Sequence, residues 1–190
     1  MRAYFFAVAL LFSALVHAQQ VSTTFRQKDL NFIANQLPQL HPNFFFQLDP
    51  ADFQQAVNGL SAKLATATDA EFYVGLAQLV ALAGDAHTAL SLTGPAASVI
   101  GFQSFPLQLR WLDDGVFVTA AAPPYSRAVS AQLIAIGGMP IDQVVLQLAT
   151  VIPHANDQWV HYEAQQFLTN QQILQGLHIC LLYTSPSPRD

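Results

Sequence analysis

Cysteine is all but missing from this 190-residue chain. Only Cys180 is present, so no intrachain disulfide can form and no thiolate-rich metal site can be built. Charge of either sign is also scarce. Lysine and arginine together number 7 against 12 acidic residues, and setting aside Arg2, Arg189 and Asp190 leaves 5 basic and 11 acidic. A chain with that balance has no basic stripe for a phosphate backbone or an anionic membrane surface. The lysines are Lys28 and Lys63, both on helical stretches that read as solvent-facing, and no serine sits in a glycine-flanked elbow. These two absences argue against a Ser-Lys dyad or any complete nucleophilic site within the sequence. After the N-terminal apolar run no second one follows, so nothing further reads as a membrane span.

The two ends separate from the rest. Arg2 supplies a positive charge, Ala3 to Val16 form an apolar run broken only by Ser13, and Val16-His17-Ala18 places suitable residues before a cleavage point. The pattern reads as a signal peptide over residues 1–18, cut after Ala18, which predicts a periplasmic or secreted protein with no membrane contact after processing. The run is short for a bilayer span, which disfavours the competing reading of an N-terminal anchor. At the other end, residues 180–190 (Cys180-Leu-Leu-Tyr-Thr-Ser-Pro-Ser-Pro-Arg-Asp190) break from the preceding amphipathic text and read as translated adapter sequence. The natural chain is then expected to continue past residue 179, and residues 19–179 are enough for one ordinary domain or two small ones.

Within that span the fold class reads as α+β. Leu30, Ile33, Leu37 and Leu40 recur at helical spacing before a break at His41-Pro42-Asn43. Asp49-Pro50 opens a second helix with Phe53, Val57, Leu60 and Leu64 on one stripe. Thr68-Asp69-Ala70-Glu71 is a capping box for a third, whose Phe72, Leu76, Leu79 and Val80 face inward until Gly84 stops it. The expectation is a three-helix bundle over residues 19–92. Thr88 to Leu92 then alternates, Phe105–Leu112 and Val116–Ala121 read as strands of a hairpin turning at Asp113-Asp114-Gly115, and Leu133–Ile136 reads as another short strand ending at Gly137-Gly138. Pro140-Ile141-Asp142 opens a helix carrying Val144, Val145, Leu148 and Val151. Residues 156 to 174 read as a last helix capped by Asn156 or Asp157, with Trp159, Glu163 and Phe167 at four-residue spacing.

Two segments carry a family resemblance. Leu79-Val-Ala-Leu-Ala-Gly-Asp-Ala-His-Thr88 resembles the helix-ending Gly-Asp-Gly-His-Thr of tail-specific (C-terminal-processing or tricorn-like) serine proteases, with Ala86 in place of the middle glycine. Leu133-Ile-Ala-Ile-Gly-Gly-Met-Pro-Ile-Asp142 is similar to the strand, Asn-Gly turn and helix of that family's PDZ-like region, with Gly137 where asparagine is usual. The resemblance runs in order from about residue 25 to 176. It implies a PDZ-like β-rich unit over residues 93–155 and a helical linker over 156–179 leading to a catalytic domain absent from this sequence. It also implies that His87 is the general base of a serine endopeptidase, with Asp85 orienting its imidazole and a polypeptide as substrate. The serine and its oxyanion-hole donors would come from the absent domain, leaving this fragment inactive alone.

Other constellations are weaker. His41, His87, His154, His161 and His178 show no four-residue helical spacing and no acidic cluster, so no metal and no cofactor is expected. Phe44-Phe45-Phe46 reads first as aromatics plugging the bundle and second as a cleft lining. Tyr125 and Arg127 are exposed-loop candidates, and no PDZ-like groove residue is assigned. The alternative to the peptidase is an exported peptide-binding module without catalysis.

Overall fold

The structure, a computed structural model, describes residues 21–123 and 125–179. The expected signal segment and the tail of residues 180–190 lie outside the described residues.

Local chemistry sets most of the helix ends. Ser22 caps α1 (Thr23–Asn35) by accepting from the Phe25 N–H. Pro38 then interrupts the run, because it has no N–H to give to the preceding turn, and the chain restarts as the single turn α2 (Leu37–Leu40). Leu40 is consequently 69% exposed, where the helical spacing predicts a core residue. Asp49 accepts from the Ala51 N–H at 2.7 Å and Pro50 takes the first position of α3 (Pro50–Ser61). The capping box at α4 (Asp69–Ala81) is complete: the Glu71 N–H donates to Thr68 Oγ1, and the Thr68 N–H donates back to the Glu71 carboxylate.

α4 is the wall between two apolar cores. Phe72, Leu76, Leu79 and Val80 face Leu30 and Ile33 of α1 and Phe53, Val57 and Leu60 of α3. Val74 and Ala77, on the other side of the same helix, join the second core. Each fully buried side chain of this size contributes about 1.5–3 kcal/mol. A buried cation links the elements of the first core. Arg26, 2% exposed, donates to the carbonyls of Leu64 and Ala67 and to the Asp69 carboxylate at 2.5 Å, with its guanidinium 5.4 Å from the Phe72 ring centre.

The second core gathers α5 (Gly94–Val99), the hairpin of β1 (Leu107–Leu112) and β2 (Gly115–Ala121), α6 (Ile141–Ala149), α7 (Asp157–Phe167) and α8 (Gln171–Gly176). The hairpin is antiparallel with an irregularity between Gln108 and Leu109. A short 3₁₀ turn, Tyr125–Ala128, follows it, and Tyr125 and Arg127 are both exposed there. The strand read at Leu133–Ile136 shrinks to β3 (Ala135–Ile136); just before it the chain touches β2 instead, where the Leu133 N–H donates to the Val116 carbonyl. β3 turns through Gly137 and Gly138, both at positive φ as this tight turn requires, into β4 (Met139–Pro140) and directly into α6.

Two further expectations change. Thr88–Leu92 forms no strand; Leu92 is buried in the second core and its carbonyl accepts from the buried Asn170 amide. The last helix is two helices. Residues 103–105 pair with 169–171 through the Phe105 N–H to the Thr169 carbonyl and the Gln171 N–H to the Gln103 carbonyl. That pairing needs extended backbone, so α7 stops and Asn170 caps α8 anew. α8 lies against α4 so closely that a Cβ on Gly176 would sit 2.5 Å from Val74 Cγ2 and 2.6 Å from the Ala70 carbonyl oxygen.

Candidate active site

α4 ends at Ala81 with Leu82 as its C-cap, and Gly84 at φ +67° releases the chain into the turn that carries Asp85 and His87. The turn closes by the Thr88 N–H donating to the Asp85 carbonyl at 3.0 Å. Aspartate suits the first position of such a turn because its carboxylate reaches the N–H two residues on. Here the His87 N–H donates to Asp85 Oδ1 at 3.0 Å. Ala86 has no positive φ, so the glycine of the resembling motif is not required by this backbone.

Asp85 gathers four hydrogen bonds. Oδ1 also meets His87 Nδ1 at 3.2 Å. Oδ2 accepts from Thr88 Oγ1 at 2.9 Å and lies 3.3 Å from His41 Nε2. The His87 N–H, then the Thr88 hydroxyl, then His41 hold the carboxyl well below the usual carboxylate range, against a small opposing effect of burial. Asp85 is therefore an acceptor only, and both imidazoles must present a proton to it.

The network assigns the tautomers. His41 Nδ1 accepts from the Asn43 N–H at 3.1 Å, which places the His41 proton that faces Asp85 on Nε2. The His87 nitrogen that faces Asp85 is Nδ1, which must carry a proton, and Nε2 is left without a protein partner among the described residues on a side chain that is 95% exposed. A carboxylate on Nδ1–H with a free lone pair at Nε2 is the arrangement that lets an imidazole take a proton from a hydroxyl brought to it.

The remaining sequence candidates lie elsewhere. His154 Nδ1 donates to the Ile152 carbonyl at 2.6 Å, and His161 stacks flat on Trp111 with ring centres 4.0 Å apart. His178 stands 3.6 Å from Glu71. Among the described residues no three of His, Cys, Asp and Glu converge in a metal-binding cluster. Of the aromatic triplet, Phe44 is buried edge-on against Phe53 and His41, while Phe46 is exposed. A groove of about 990 Å³ between α3, α4 and α8 is lined by Lys63, Glu71, Gln78 and His178 among others and by none of His41, Asp85 and His87. The contact of His41 with Asp85 was not legible in the sequence, since 44 positions separate them and no local motif marks the pair.

No family model matches the chain, and no curated protein matches it. A solved structure does: mature CPAF complexed with lactacystin, at 16% identity with a TM-score of 0.53. The likeness covers 81% of this chain and 30% of that one. The chain thus shares its fold, at a distance, with less than a third of mature CPAF.

Proposed function

We propose that the chain is the N-terminal part of an exported serine endopeptidase of the tail-specific type, in which His87 is the general base and Asp85 orients it. The observation that carries this reading is the Asp85–His87 pair, 3.2 Å from Oδ1 to Nδ1, on a fold shared with part of CPAF, a tail-specific-protease-like serine protease. The helical region and the PDZ-like unit would receive a polypeptide, and residues outside this sequence would bring the serine and the oxyanion donors to the exposed Nε2 of His87. The nucleophile's proton would pass to that nitrogen, and the ionised Asp85 would stabilise the imidazolium that forms.

The test is to read the genomic locus through codon 179 and assay the complete product against an unstructured polypeptide. His87→Ala in that product is expected to lose about 10²–10⁴ in kcat. Hydrolysis that survives the substitution at full rate overturns the assignment. The second reading, a peptide-binding module without catalysis, draws on the near-complete exposure of His87 and the absence of a serine hydrogen-bonded to it among the described residues. A genuine stop codon near residue 179 together with saturable binding of an extended peptide would establish that reading instead.

A further inference from the structure

We propose that His41 is a positioning residue for the Asp85–His87 pair, acting through the carboxylate rather than on substrate; the inference rests on the peptidase reading of that pair. An imidazole as exposed as that of His87 has no packing to fix its ring, so its tautomer and direction are set by Asp85. Asp85 is in turn only partly covered, with 37% of its side chain exposed. Two of its donors, the His87 N–H and the Thr88 hydroxyl, belong to the same turn and move with it. His41 is its long-range donor, arriving from the loop that follows α2.

His41 is itself held on three sides. Its side chain is 15% exposed, its Nδ1 accepts from the Asn43 N–H, and its ring meets Phe44 edge-on at 5.8 Å between centres. Phe44 is 2% exposed and packs on Phe53 of α3. The chain of contacts therefore runs from the first apolar core through Phe44 and His41 to Asp85 Oδ2. With Oδ2 so occupied, Oδ1 is left facing His87 Nδ1. That geometry keeps the His87 proton on Nδ1 and the lone pair on Nε2.

The measurement is the imidazole nitrogen spectrum of the full chain labelled with ¹⁵N-histidine, recorded where the rings are neutral. Unsubstituted protein should show His41 protonated on Nε2 and His87 protonated on Nδ1. The opposite tautomer at either ring overturns the proposal without any variant. His41→Phe keeps a ring against Phe44 but removes the donor; the Nδ1–H share of His87 should fall several-fold, and His41→Gln, whose Nε2 amide can reach Oδ2, should restore it. A His87 tautomer unchanged in a folded His41→Phe protein also overturns the proposal. If that variant does not fold, the tautomers of the unsubstituted protein decide. The readout needs no hydrolysis: shifted tautomers in a complete product that cleaves nothing would end the peptidase reading and leave the positioning contact standing.

Discussion

The two ends of α4 each carry an aspartate in a cluster of donors, and burial makes them different objects. At the N-terminal end Asp69 meets Arg26, whose guanidinium is withdrawn from water and spread over two backbone carbonyls and a phenyl face. Removing such a buried charge strands its partners, so the cluster acts on stability. At the C-terminal end Asp85 meets two imidazoles on a turn open to solvent, where an ion pair or hydrogen bond is worth little to folding. What the exposed cluster keeps is an accessible nitrogen. One aspartate holds helices together, and the other, on the proposed peptidase reading, would orient a ring to take a proton.

The largest expected effect tests the buried end. Arg26→Ala should cost about 3–5 kcal/mol in urea unfolding, since it leaves the Leu64 and Ala67 carbonyls unpaired. Arg26→Met should cost less, because its side chain refills the space over Phe72. Equal losses in the two variants would mean that the charge network, not packing over Phe72, carries the effect there.

Next comes the contact that covers the same end. Gly176→Ala should cost about 1–3 kcal/mol, because the new Cβ meets backbone at Ala70 and the stiff Val74 side chain. A neutral result would show that α8 sits more loosely on α4 than the structure places it. The cap is a smaller matter: Thr68→Ala should lose about 1 kcal/mol. Burial raises the Glu71 carboxyl, but the Thr68 N–H and hydroxyl, with His178 and Lys63 nearby, bring it below the usual value overall. Glu71 therefore supports the cap above the ordinary carboxylate range, and that support is lost as pH falls through its lower folded value.

The exposed end should respond least. Asp85→Asn is expected to leave the unfolding midpoint nearly unchanged while abolishing an acid transition. Because the folded carboxyl lies below its ordinary value, its contribution is complete above about pH 4 and is lost only as pH falls through the depressed value. The carboxyl ¹³C signal of Asp85 should accordingly show no protonation step of Asp85 near pH 4 and should take that step only in stronger acid. Movement near pH 4 would break the contrast between the two aspartates.

Much of the local design was legible beforehand. The caps at Asp49 and Thr68 reappear where the residues placed them, Asn156 rather than Asp157 caps α7, and the hairpin expected to turn at Asp113-Asp114-Gly115 turns through Asp113-Asp114 with Gly115 already in β2. Asp85 beside His87 was legible as a weak orienting pair. The double use of α4 was half legible: the stripe of Phe72, Leu76 and Leu79 was visible, but Val74 and Ala77 found their partners only through α8 and the hairpin.

The sequence by itself determined the features whose physics spans three or four residues. A Thr-x-x-Glu box closes with no help from the rest of the chain, and Gly84 ends a helix because it alone tolerates the left-handed step there. Tertiary structure decided what depends on a distant partner. Residues 103–105 broke the last helix by taking its backbone, and the first core carried His41 across 44 positions to the Asp85 carboxylate. A hydrogen bond inside one turn costs almost no chain entropy to find, whereas one between distant residues forms only after packing has brought both ends together.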